Sequence, residues 1–541
     1  MSSSSLIIGH VSDLITMAIE ITDSSISFIP SSVTRIQQVE MSGHRSESKP
    51  PFKVSVEAST EVRHDEPEGE DSSSDSDSVL PTSAFTLPPK TLQHLQLARR
   101  TPLPSRRGSP EPLQRSESLT HVRVTCHCRQ STMRVAFPTD SLPIPCFMCN
   151  CDACRHTSGQ MAFHTVRIVG VPQWVGTNKA VPVHEVLKAY QPPERRGVTQ
   201  YFCPACSAKV LVHVNVLENL QEEKPHLDPP NIQYQSSGGW PPRSRSTFGE
   251  EGVLNEGTEY WRVAGGALQQ AEGVIQPVCH VHVSDTKDGG FAEQLLKVND
   301  IDLVRYSGAI GSDQLPLGWR SPDLKEEQRD ALSFYCHCRA ISCTLSRPDE
   351  VIARLPTAPY PDLIFPKDTT RLAKARNIRD EKWWLRPSLA AGEPTRYLTG
   401  HCACGYCRLT SGFEIQSWAF VPRRHVQEVG SDDPICFTDA VRRPRGLKQY
   451  VASPGRYTEF CGTCGATCFW WTASRPEIID ISIGLIDQSQ DGVRAEHWFD
   501  WHKDRVSFAE NAKSPQLVAG LKEGMRAQRE HVHSGNSSYS Q

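Results

Sequence analysis

The chain is short of apolar residues. They fill 38% of its 541 positions, and the mean hydropathy is −0.43. That is low for one large globule, so part of the chain is expected to stay unfolded. No stretch is long and apolar enough to span a membrane. The apolar patches between residues 6 and 21 are interrupted by His10, Asp13 and Glu20, and they lack the basic start and unbroken core of a secretory signal. An excess of one charge is missing too. The net charge is −4 and the pI about 6.6, which argues against a dedicated nucleic-acid binder and leaves room only for a local basic patch. Long helical patterns are few and strand patterns dominate.

Cysteine, by contrast, is abundant, at 19 residues. With no export signal, clustered cysteines read as metal ligands rather than disulfides, which places the chain in the cytosol or nucleus. Cys461-Gly462-Thr463-Cys464-Gly465 is half of a tetrahedral zinc site. Upstream lie Cys336-His337-Cys338 and Cys402-Ala403-Cys404-Gly405-Tyr406-Cys407. The same three clusters occur earlier in the same order: Cys126 and Cys128, then Cys149, Cys151 and Cys154, then Cys203 and Cys206. This is an internal repeat, and it divides the chain into two similar units.

Residues 1–118 read as a disordered arm. Segment 66–78 holds acids and serines with almost nothing apolar, and Pro-rich and basic pieces follow, with Ser109 before Pro110. Met41 offers an alternative start. The first unit spans 119–310, opening on the alternating strand His121-Val122-Arg123-Val124-Thr125, with an inserted loop at about 220–257. The second spans 333–510, with its insertion at about 347–396. Ser514-Pro515 starts a helix, and 511–541 is helix and tail. The expected fold is mainly β: two tandem zinc-bound β domains, because short sheets bury too little apolar surface to stand alone.

Seven cysteines per unit divide most simply into four and three. A structural zinc closes with four ligands, while a catalytic one keeps three and an open position. The C-x-C and C-x-x-C pairs, each at a strand end, make the four: Cys126, Cys128, Cys203 and Cys206, then Cys336, Cys338, Cys461 and Cys464. The local chelates make the three: Cys149, Cys151 and Cys154, then Cys402, Cys404 and Cys407. Up to two zinc ions per domain follow. An open three-thiolate site suits a substrate thiol, held as thiolate beside a small electrophile; a fourth protein ligand would leave scaffolding only. Cys146, three residues before Cys149, offers such a ligand in the first unit, and Thr399 at the matching position offers none in the second. The catalytic candidates are therefore Cys402, Cys404 and Cys407. Cys279, Cys343, Cys436 and Cys468 read as small buried apolar residues. Segment 484–497 mirrors 266–280 and so matches His497 to His280, both read as core histidines before ligands.

This ordered pattern resembles the family of glutathione-dependent formaldehyde-activating enzymes and the related centromere protein V. The likeness is carried by the clusters, by Ser453-Pro454-Gly455-Arg456-Tyr457-Thr458-Glu459-Phe460 before Cys461, by Thr467-Cys468-Phe469-Trp470 after it, and by Val278-Cys279-His280-Val281 in the first unit. The tandem units with long insertions look like a fungal branch. The resemblance implies a zinc-bound β fold of the beta-tent type and the same four-plus-three partition. It also implies a carbon–sulfur lyase run in reverse, joining glutathione and formaldehyde into S-hydroxymethylglutathione. After each chelate this chain reads Arg-x-Thr-Ser-Gly, at 155–159 and 408–412, which departs from the bacterial-type enzyme. Arg155, Arg408, Arg423, Arg424 and Lys448 are candidates for holding the carboxylates of glutathione. The alternative is a non-catalytic zinc module that binds protein or chromatin, served by Arg442-Arg443-Pro444-Arg445 and the arm. Thiol-dependent turnover separates the two.

Overall fold

The computed structural model describes residues 118–219, 259–324, 329–366, 376–387 and 395–535, and the backbone of three short strands near the amino terminus. Those strands, Ser4–Ile8, Met17–Thr22 and Ser25–Pro30, form an antiparallel sheet. The rest of the expected arm, with Met41 and Ser109, lies outside the described residues, as does the first inserted loop. Residues 108–541 form a separate compact unit. Among the described residues no helix is long and apolar enough to cross a membrane.

The fold is mainly β, and the two halves repeat one plan. In the first half, Leu119–Val124, Met133–Pro138 and Val169–Trp174 form one sheet, matched in the second by Ala331–Tyr335, Ser342–Ser346 and Val426–Glu428. Half-burial alternates along the opening strand of each, as period-two patterning requires. The second half then builds one large sheet. Its order is Leu385–Arg386, Arg396–Cys402, Gln416–Pro422, Ile478–Ser482, Thr467–Thr472, Arg456–Cys461 and Leu447–Ser453, with Phe499–Trp501 parallel to Arg396–Cys402. Gln416–Pro422 and Ile478–Ser482 are buried at every position, which explains their near-continuous apolar runs.

In the first half the corresponding sheet is split. Thr165–Arg167, Glu259–Ala264, Lys209–Asn215, Val198–Phe202 and Lys188–Tyr190 make one part. Ile144–Cys149 pairs separately, in parallel, with Ile275–Val281. That ladder corrects the histidine match. His280 lies within its strand opposite Met148, buried and bonded to the Leu295 carbonyl at 2.8 Å, whereas His497 precedes its parallel strand and shares a 2.6 Å bond with Asp491.

The halves share one core. A single buried cluster runs from Val122 to Met525. The described part of the second insertion belongs to it: Tyr360, Leu363, Trp383 and Trp384 are buried, and the Trp383 indole donates to the Ala358 carbonyl at 3.0 Å. The helix foreseen at Ser514-Pro515 runs Pro515–Gly535 and buries Leu517, Val518, Leu521 and Met525, its axis lying against the Lys297–Val298 strand of the first half.

Candidate metal centres

The C-x-C turns close through residues with positive φ, Arg129 at 65° and Arg339 at 60°. The C-x-x-C knuckles close through Ser207 at 67° and Gly465 at 73°. Serine in the left-handed region is disfavoured by about 1 kcal/mol. Its hydroxyl offsets this by donating to the Thr410 carbonyl of the other half at 3.0 Å. These turns bring the thiols of Cys126, Cys128, Cys203 and Cys206 within 4.8 Å of one another, and likewise those of Cys336, Cys338, Cys461 and Cys464. Cys128 lies 3.4 Å from both Cys126 and Cys203; Cys338 lies 3.6 Å from Cys336 and 3.4 Å from Cys461. Sulfurs at the corners of a tetrahedral zinc site sit roughly 3.8 Å apart, given bonds of about 2.3 Å.

Each three-cysteine set is built on a strand end and a seven-residue helix. Cys151 caps Asp152–Ser158, accepting from the Cys154 amide at 3.4 Å, and Cys404 caps Gly405–Ser411, accepting from Cys407 at 3.3 Å. Cys149, Cys151 and Cys154 converge within 4.8 Å, as do Cys402, Cys404 and Cys407. Among the described residues no fourth Cys, His, Asp or Glu joins either set. Cys146 lies instead against the His164 ring, which shares a 2.7 Å bond with Glu414.

The donor sets fit a soft divalent cation. Four sets of largely buried thiols can bind metal, and without one they must share protons. Hydrogen bonds from their neighbours hold Cys126, Cys154, Cys404 and Cys461 well below the usual thiol range, while thiol hydrogen bonds push Cys149, Cys206, Cys336 and Cys402 far above it. Lys209 of the first half stands under the second four-cysteine set. Its Nζ donates to the Cys464 carbonyl at 2.6 Å, and burial lowers its pKa to about 8.

The Arg-x-Thr-Ser-Gly motifs have a structural role. Each ends its helix on a left-handed glycine, Gly159 at φ 82° and Gly412 at φ 80°, where the halves meet. A Cβ at Gly159 would lie 2.2 Å from the Thr467 carbonyl oxygen, and one at Gly412 2.2 Å from that of Lys209. The arginines clamp this seam. Arg408 donates to the Gly266 and Leu268 carbonyls at 2.6 and 2.7 Å; Arg155 reaches the Gly484 carbonyl at 3.4 Å and the Gln488 side chain at 2.9 Å. The exchange is reciprocal in the backbone as well. The His127 amide donates to Leu409 and the His337 amide to His156, while His127 and His337 share 2.7 Å bonds with Tyr450 and Tyr190 of the opposite half.

Of the proposed carboxylate-holding residues, Arg155 and Arg408 are thus committed to the seam. Arg423 bonds the Ile435 carbonyl and Glu477, and Arg424 is exposed. Lys448 is exposed on the strand Leu447–Ser453, its side chain against Gly462. In the basic run, Arg443 pairs with Glu459 and Arg442 with Asp433. Cys279, Cys343, Cys436 and Cys468 are buried outside the clusters.

Residues not foreseen surround the three-cysteine sets. Arg195 covers the first: Nη2 donates to Cys151 Sγ at 2.5 Å and Nη1 to Cys154 Sγ at 3.5 Å. Tyr406, Trp418, Trp470 and Phe508 pack around the second. Only sequence proximity to the clusters pointed to Tyr406, and nothing local pointed to Phe508.

The family model described as glutathione-dependent formaldehyde-activating enzyme matches residues 121–224 and again 389–501. The first span holds all seven cluster cysteines of its half; the second begins after Cys336 and Cys338, which only the fold returns to Cys461 and Cys464. No curated protein and no solved structure matches the chain.

Proposed function

Since the chain carries two domains of the glutathione-dependent formaldehyde-activating enzyme family, we propose that it is a zinc-dependent, carbon–sulfur lyase-like enzyme working in the direction of adduct formation. The substrates are a small thiol such as glutathione, and formaldehyde. A carbon–sulfur bond forms, the carbonyl π bond breaks, and the thiol proton ends on the new hydroxyl, giving S-hydroxymethylglutathione.

The centre assigned to this reaction is Cys402, Cys404 and Cys407. One observation carries the assignment: Cys404 is partly exposed, whereas all three cysteines of the first set are buried. When bound there, zinc would supply an open position that holds a thiol as thiolate. The residues around it do the rest. Cys404 presents the accessible edge. Trp418 directs its indole toward Cys407, and the half-buried Trp470 and Phe508 pack against the set. Tyr406 is half-buried, its desolvation raises the hydroxyl's pKa, and it shares a hydrogen bond with Thr458. The four-cysteine sets would each hold a structural zinc, for up to two ions per domain. Nineteen free cysteines suit a reducing compartment, cytosol or nucleus.

Elemental analysis with and without glutathione, alongside thiol-dependent consumption of formaldehyde, tests this reading. Full zinc content without any thiol-dependent turnover would leave the chain a non-catalytic zinc module.

A further inference from the structure

The two three-cysteine sets differ in what covers them, and the cause lies in one hairpin. In the second half the ladder from Leu447–Ser453 to Arg456–Cys461 runs on past Tyr450↔Thr458 to Ser453↔Arg456, so Pro454 and Gly455 make a tight tip. In the first half pairing stops at Tyr190↔Gln200. Nine residues, 191–199, then stand where the second half has seven, 451–457. Pro192 and Pro193 have no N–H with which to continue a ladder. The chain turns inward instead, the Arg195 amide donating to the Pro192 carbonyl at 3.0 Å, and this turn delivers Arg195 to the cluster.

We propose that Arg195 closes the first three-cysteine centre. Its guanidinium is the counter-ion of the thiolates and occupies the approach that an exchangeable fourth ligand would use. The inference rests on the reading of the second centre as the open one, and names what makes the first different. Arg195 is itself only 7% exposed, so its charge has little water and must be met by the sulfurs. Its guanidinium donates to two sulfurs of the cluster, Cys151 and Cys154. Three thiolates and one divalent cation carry one net negative charge, which a single arginine neutralises. A thiolate entering as fourth ligand would displace the guanidinium from its partners and leave it buried and unpaired. The counterpart of Arg195, counted back from the knuckle cysteine, is Ser453, on a hairpin that ends without any such inward turn. A narrow cleft remains beside the first cluster, lined in part by Cys149, Cys154, Phe163, Thr165, Arg195 and Gln200. That cleft makes the competing role concrete: Arg195 would there bind the carboxylate of an incoming thiol.

The experiment uses the full chain loaded with cobalt(II), whose visible absorption reports a fourth thiolate without reference to turnover. Glutathione is titrated into the wild type, Arg195→Ser and Arg195→Lys, each also in a Cys404→Ser background. In that background the wild type should take up no thiol at the first centre and Arg195→Ser about one equivalent. Arg195→Lys, which keeps the charge, should take up none. If Arg195→Ser loses its metal, the lysine variant decides: a metal-bearing lysine variant without thiol uptake supports closure. Uptake in the Cys404→Ser background, by the wild type or by the lysine variant, overturns the proposal. So does glutathione uptake that falls when Arg195 is removed. Because these readings are taken with the second centre disabled, they stand apart from whether the second centre turns over substrate.

Discussion

The two halves hold the same seven cluster cysteines in the same order, yet they surround one set of three differently. The first three-cysteine set is buried beneath Arg195; the second is walled by Tyr406, Trp418, Trp470 and Phe508 and is partly exposed at Cys404. Around them almost everything is reciprocal. Each cluster helix ends on a glycine pressed against the other half, each arginine of the Arg-x-Thr-Ser-Gly motif bonds across the seam, and each C-x-C histidine meets a tyrosine of its neighbour. A shared seam constrains both copies to one scaffold. A loop at the edge of the sheet is free of that constraint, and there the copies have diverged.

The largest effect should come from a staple. Structural zinc contributes on the order of 10 kcal/mol in small domains, comparable to a whole domain's net stability. Cys461→Ser should therefore unfold the second half, and through the common core take the first with it. Limited proteolysis reads this: a stable fragment covering residues 118–324 would show that the seam is dispensable and the copies independent.

Next comes the contrast between the centres. Cys404→Ser should lower thiol-dependent formaldehyde consumption at least about 100-fold, and Cys151→Ser only a few-fold. Similar losses from both would mean that the halves work alike despite Arg195.

The seam clamps follow. Removing Arg408 leaves the carbonyls of Gly266 and Leu268 without their buried donor, and removing Arg155 strips Gly484 and Gln488. Each alanine variant should lose about 3 kcal/mol in urea denaturation. A loss confined to one of them would break the reciprocity of the seam. The smallest effect belongs to Tyr190→Phe and Tyr450→Phe, each removing one hydrogen bond to a histidine of the opposite half, at a cost of about 1 kcal/mol. Equal midpoint shifts would mark the two contacts as equivalent.

Much of this was legible before any fold was known. Ligand spacing is local chemistry: a C-x-C, a C-x-C-x-x-C and a C-x-x-C each bring thiols together within a few residues, so the three clusters of each half could be read directly, while the fold joins the C-x-C to its C-x-x-C across 75 residues in one half and 123 in the other. The alternating and continuous apolar runs marked the strands, and Ser514-Pro515 marked the terminal helix. Cys146 misled because adjacency in sequence does not survive on a strand. Three residues from Cys149 it points elsewhere, to His164. The histidine match misled for a similar reason, since a similar distance from a repeated glycine says nothing about where a parallel strand begins.

The sequence by itself determined the repeat, the β class, the three thiol clusters of each half and the family likeness, because each depends on residue types at short, fixed spacing. Only the tertiary structure decided what those sets face. Arg155 and Arg408 looked like surface charges available to a substrate and became buried clamps, since their partners are carbonyls more than 100 residues away in the chain. Arg195 lies 41 residues from Cys154 and reaches it because two prolines end a ladder. Phe508 joins the second centre from beyond the parallel strand Phe499–Trp501. Contacts of this kind are set by how sheets pack and where loops turn inward, and no local pattern carries that information.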